Sequence, residues 1–188
     1  MIISYQGVDS FKISQGSLTL AVNPQSKASA DITLFTTKRA LPAEALAKAG
    51  FVIDGPGEYE VKDIFIKGFL SEGLGEKINT IYIISFEGMN LCFLGALSNP
   101  ALSTQTLEAI ENIDILFAPV DTLGPAAAYK LAVSLEPSVI IPMRHSEPAL
   151  KQFLKEGGEE KAGSLDKFVV KKKDLEGKEG EVILLKEE

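Results

Sequence analysis

The chain has 188 residues and a formal net charge of −7, with 45% hydrophobic and 24% charged residues. That length suits one domain with a full apolar core, and an acidic balance without a basic stripe excludes a general phosphate-backbone binder. The cationic run Lys171-Lys172-Lys173 is followed by Asp174, Glu176 and Glu179, so it reads as a solvated turn and no nucleic-acid partner is expected. Cys92 is the only cysteine, which leaves no intrachain disulfide and fits a reducing compartment. Within Leu91-Cys92-Phe93-Leu94 it reads as packed core and not as a nucleophile. Lys12 interrupts the apolar start, and no apolar run reaches the roughly 18 residues of a membrane span. Neither signal peptide nor membrane partner is expected, and the expected location is cytoplasmic.

In chain order, residues 1–5, 10–14 and 17–22 read as short strands, punctuated by Gly7 and by a Gln15-Gly16 hairpin turn. Asn23-Pro24 ends this meander, and the small polar stretch 25–29 reads as a loop. Residues 31–35 form an apolar run that leads into Thr36, a buried strand running out into a loop. Pro42 at a first-turn place and Gly50 past the end bracket a short helix over 42–49. Gly55-Pro56-Gly57 turns the chain between two strands, and 64–70 continues as a strand into Ser71-Glu72-Gly73. Residues 80–86 and 90–94 make a hairpin through Glu87-Gly88-Met89 and lead into Gly95-Ala96-Leu97-Ser98-Asn99. Helices are expected over 102–110, with Ser103 or Thr104 as cap, over 125–135 and over 148–155. Buried strands are expected over 113–120 and 138–143, and closing strands over 168–171 and 182–185.

The stretch Gly-Pro-Gly-Glu-Tyr-Glu at 55–60, with the strand ends at Thr36, Gly95 and Pro142-Met143, resembles the metallo-β-lactamase-fold superfamily, in its short Zn-dependent-hydrolase branch. The resemblance covers nearly the whole chain. It implies an α/β (α+β) fold, a four-layer αββα sandwich formed by a single domain over residues 1–188. It also implies where metal ligands would stand. The family's His-x-His-x-Asp-His places fall on Thr37, Arg39, Leu41 and Pro42, and a later His place falls near Gly73. The Asp and His of Gly-Asp-Leu-Gly-His become Ala96 and Asn99, and the last His becomes Arg144, with His145 one place late. Zinc needs three or four N, O or S donors converging at about 2.0–2.3 Å, and a chain with one His cannot build a His-rich site. No metal ligand, catalytic residue or cofactor is therefore assigned.

Arg39 and Arg144 are the only arginines in the chain, and both fall on implied metal-binding places. Two guanidinium groups in one cleft can form a fork for a small anionic ligand, with Lys38, Thr37, Asn99, Glu72 and His145 around it. The alternative is that they pair with Glu72, Glu58 or Asp121 and plug the cavity. His145 beside Ser71, Ser146 or Thr37 invites a catalytic reading, but no spacing here marks a triad. The sequence thus points to a non-catalytic, metal-free protein of this fold with an anion-binding cleft. A hydrolase with an atypical or metal-free site, and a homo-oligomeric scaffold, remain as alternatives.

Overall fold

Alternating burial builds the first part of the chain. A computed structural model describes residues 1–25, 29–38 and 50–188. Strand β2 (Phe11–Gln15) buries Phe11 and Ile13 and exposes Lys12 between them, the period of two that a half-covered sheet requires. It pairs antiparallel with β1 (Ile2–Tyr5) and with β3 (Leu18–Val22). Strands β4 (Ile32–Leu34) and β5 (Phe51–Ile53) then add in parallel. The predicted helix over 42–49 lies outside the described residues, as do Arg39, Leu41 and Pro42.

A second sheet starts with β6 (Gly57–Val61) and β7 (Ile64–Glu72), which runs two residues beyond the expected strand end and so carries Ser71 and Glu72. Strands β8 (Ile78–Phe86) and β9 (Met89–Phe93) form the expected hairpin. Its turn residues Glu87 and Gly88 both have positive φ, 52° and 73°, as a two-residue turn matched to strand twist demands. Helix α1 (Thr104–Ala109) is capped by Ser103, whose Oγ accepts from the Thr106 amide at 3.1 Å. Strand β10 (Ile115–Pro119) follows, then a single turn, α2 (Val120–Leu123), and α3 (Pro125–Ser134). Strand β11 (Val139–Met143) and α4 (Glu147–Glu156) complete the αβ half. The tail adds β12 (Ser164–Leu165), β13 (Phe168–Val169), β14 (Glu181–Val182) and β15 (Leu184–Leu185).

Among the described residues the sheets run β13-β1-β2-β3-β4-β5 and β14-β11-β10-β9-β8-β7-β6. Strands β9, β10 and β11 are mutually parallel, and β10 and β11 are buried at every position. Such strands need cover on both faces, and they have it. Ile115, Phe117 and Ile141 join the core against Ile3, Phe11, Leu20 and Leu34 of the first sheet. Leu116, Ala118 and Ile140 face Leu131, Phe153 and Leu154 of the helices. At the centre Phe93 and Phe117 stack at 3.8 Å with Phe11 edge-on at 4.8 Å from Phe117, geometry that adds to their area burial. Cys92 is fully buried in the helix-facing cluster, and desolvation pushes its thiol well up, as the packed-core reading expects. No helix among the described residues is long and apolar enough to cross a membrane.

Candidate functional site

The two sheets end together around the stretch that follows β4. The backbone N–H of Thr36 donates to Asn23 Oδ1 at 2.9 Å, and Asn23 Nδ2 donates to Thr36 Oγ1 at 2.9 Å and to Asp9 Oδ2 at 3.0 Å. Asn23 holds this place with φ 48°, a left-handed conformation that Asn tolerates better than most residues. From the end of β11, Arg144 reaches the same carboxylate. Its Nε and Nη2 donate to Asp9 Oδ2 at 3.0 and 2.8 Å. Asp9 is fully buried and the Arg144 side chain is 19% exposed, so the pair is held largely out of water.

A second knot lies on the other side of Thr36. The Thr36 carbonyl accepts from the Thr80 amide at 2.7 Å, and Thr37 bridges to Asn79. Asn79 is fully buried. Its Nδ2 donates to the Leu94 carbonyl at 2.9 Å and to Ser71 Oγ at 2.8 Å, while its Oδ1 accepts from the Ala96 amide at 2.7 Å. Gly95 lets this happen, because a Cβ there would stand 2.3 Å from Asn79 Oδ1. Beyond it Glu72 Oε2 accepts from Asn99 Nδ2 at 3.1 Å, and the Glu72 carbonyl accepts from the Ser98 amide at 3.1 Å. Lys38 is exposed and makes no ion pair among the described residues.

The pairing expected for Arg144 is therefore corrected in its partner. Glu58 lies 3.5 Å from Lys67, Glu72 holds Asn99, and Asp121 accepts from the Ser146 amide at 2.8 Å and its hydroxyl at 3.2 Å. The acid that meets Arg144 is Asp9, in the turn between β1 and β2. Glu72 and Asn99 come together, as do Thr37 and Asn79, but no hydrogen bond or ion pair joins either group to Arg144 or His145. Arg39 lies outside the described residues. The sequence reading passed over Asp9, Asn23 and Asn79 as ligands of this network. A buried Asp in a Gly7-Val8-Asp9 turn has the same local signature as a solvated one, so only the distant pairing distinguishes it.

Residues 2–144 match the family model of the beta-lactamase superfamily domain. The chain belongs to that superfamily. Among solved structures, a candidate Zn-dependent hydrolase of the metallo-beta-lactamase superfamily from Thermotoga maritima is 25% identical, with a TM-score of 0.81 over 100% of this chain and 99% of that one. A metallo hydrolase from the hyperthermophilic archaeon Ignicoccus hospitalis matches at 14% identity and a TM-score of 0.62, over 90% of this chain and 99% of the other. The diiron beta-hydroxylase CmlA of Streptomyces venezuelae matches at 12% and 0.61, over 98% of this chain and 52% of its own. None of the curated proteins matches the chain. The two-sheet architecture is thus the metallo-β-lactamase sandwich, as the resemblance implied.

The superfamily's metal needs converging donors, and the described side chains do not gather such a set. Among the described residues no three His, Cys, Asp or Glu side chains converge as a cation site. At the implied ligand places stand Thr37, Gly73, Ala96 and Arg144, the last a permanent cation. Ala96 is 4% exposed and its amide is already taken by Asn79.

His145 does not build a triad either. Ser71 Oγ is bonded to Asn79 and Ser146 Oγ to Asp121, and no hydroxyl of the described residues bonds His145. Its ring lies 6.1 Å from that of Tyr5. Burial holds its pKa below the ordinary 6.5, against the raising pull of the Asp121 carboxylate. A depressed histidine pKa means that the unfolded chain takes up the proton first. Stability therefore falls as pH drops below about 6.5, with a slope bounded by about 1.4 kcal/mol per pH unit, and levels off below the folded pKa. His145→Gln is expected to flatten that part of the profile in urea melts between about pH 7 and pH 5. An unchanged slope in the variant would place the titration elsewhere.

Proposed function

We propose that this superfamily member is non-hydrolytic, and that it works by binding, without a metal. The observation that carries this is the Asp9–Arg144 pair. Where the family's last ligand would stand, a guanidinium is already bound to a buried carboxylate through Nε and Nη2. A dication beside it would meet a fixed positive charge and, among the described residues, no converging donors. The fold leaves the chemistry open, since its matches include hydrolases and a diiron hydroxylase.

Metal analysis of protein purified from zinc-supplemented medium tests the reading. The expected content is well below one zinc or manganese per chain, with no rise of melting temperature on adding zinc. A stoichiometric ion, or a saturable rise, means a metallohydrolase with ligands outside the network described above. A small anionic ligand at the cleft lip is the second reading, and the exposed ammonium of Lys38, which meets no acid among the described residues, favours it. Phosphate, sulfate or a dicarboxylate should then raise the melting temperature, and Lys38→Ala should abolish the rise.

A further inference from the structure

We propose that the groove between the C-terminal ends of α1 and α3 docks a partner protein through a segment that presents lysine or arginine beside apolar side chains. The groove lies at the start of β11, at the opposite end of that strand from Arg144, so it is separate from the cleft. Two adjoining hollows make it, of 370 and 630 Å³, and Glu136 lines both. Leu107, Leu135 and Glu111 line the smaller; Val133, Tyr129 and Glu179 line the larger. Leu107 is 47% exposed and Val133 46%, which leaves an apolar strip open along the helical layer.

Charge complementarity selects the occupant. Glu111, Glu136 and Glu179 are exposed and make no ion pair among the described residues. The one cation in the groove, Lys178, is tied to Glu181. Neither α1 nor α3 has a basic residue in its last turn, so the negative ends of both helices add to the same field. Anionic lipid and nucleic acid are repelled there. A cationic segment is steered in and oriented, while Leu107 and Val133 supply apolar area that salt does not screen.

A synthetic lysine–leucine peptide with a single tryptophan serves as probe, because the chain itself contains no tryptophan and peptide emission reports binding alone. Saturable binding is expected. The double variant Glu111→Lys/Glu136→Lys should weaken it at least about tenfold, and Leu107→Ser/Val133→Ser should weaken it at unchanged net charge. The control Glu60→Lys/Glu160→Lys changes net charge equally on other surfaces and should leave binding nearly intact. All six sites are exposed, and melting curves verify that each variant folds. Absence of saturable binding, equal weakening in the control, or no effect of the apolar pair would overturn the proposal. So would a dimer in gel filtration that Leu107→Ser/Val133→Ser dissolves, since the groove would then belong to a second copy.

Discussion

Arg144→Ala is expected to destabilise the protein by about 3 kcal/mol, the lower end of the cost of breaking a buried ion pair because the arginine is partly exposed. The asymmetry between the partners sets the magnitude. Asp9 is fully buried, and its Oδ2 would lose the two hydrogen bonds that Arg144 donates. Losing charge-assisted bonds to a buried carboxylate costs far more than losing one surface pair. Asp9→Asn in the Arg144→Met background should recover much of the loss, since the pair is then replaced by a neutral amide beside an apolar chain of similar reach. Urea denaturation of Asp9→Asn, Arg144→Met and the double variant closes this cycle. A loss below about 0.5 kcal/mol for Arg144→Ala would show that the guanidinium is not structural, and would return it to the ligand-binding role.

The coupling also bears on why the metal places change together. Ala96 stands where the resemblance implies a carboxylate, Arg144 where it implies an imidazole. With no cation to hold them, acids gathered at this strand end would repel one another and resist desolvation. A guanidinium that brings its own charge, bonded to the Asp9 carboxylate, stands at the same end of the sandwich. Arg144 holds φ at 49° to do so, and its carbonyl accepts from the Asp121 amide at 2.8 Å. Backbone and side chain thus tie the end of β11 to both the β1–β2 turn and α2.

Much of the fold was legible because burial leaves a period in the sequence. The β8–β9 hairpin was read from its Glu87-Gly88 turn, and β10 and β11 from unbroken apolar runs. The closing strands expected over 168–171 and 182–185 appear as the two-residue pieces β13, β14 and β15, whereas β12 has no period of its own. The turn at Lys172–Leu175 looks like a solvated charge run, although Lys172 reaches Asp114 at 2.7 Å and Leu175 joins the core. The site was legible only as a set of places. Motif alignment located Thr37, Ala96, Asn99 and Arg144, but it named Glu72, Glu58 and Asp121 as partners for the arginine. Asp9 is 135 residues away from Arg144 in sequence, and polar pairings at that separation leave no local trace. Asn79 was hidden for a related reason: inside the strand pattern 80–86 its neighbour is simply the first polar residue before an apolar run.

Asn79→Ala is expected to cost about 3 kcal/mol, with about 1–3 kcal/mol for each buried group left without its partner. The groups are the Ala96 amide and the Leu94 carbonyl, at 4% and 0% exposure, while Ser71 Oγ keeps its bond to the Asn79 carbonyl. Asn79→Asp separates this account from a simple packing loss, because it keeps the shape and the acceptor for Ala96. It sets a carboxylate oxygen against the Leu94 carbonyl, two acceptors at a donor–acceptor distance, so it should be at least as damaging as alanine. If packing alone mattered, the aspartate would be nearly neutral. Hydrogen exchange gives the local readout. In both variants the Ala96 amide should lose protection beyond what the global destabilisation explains, while amides of β10 and β11 should follow the global unfolding alone. Protection lost equally everywhere would mean that Asn79 supports the fold as a whole and does not fix the 94–99 loop. The loop's place beside Glu72 and Asn99 would then have to come from the Gly73–Leu97 bridge.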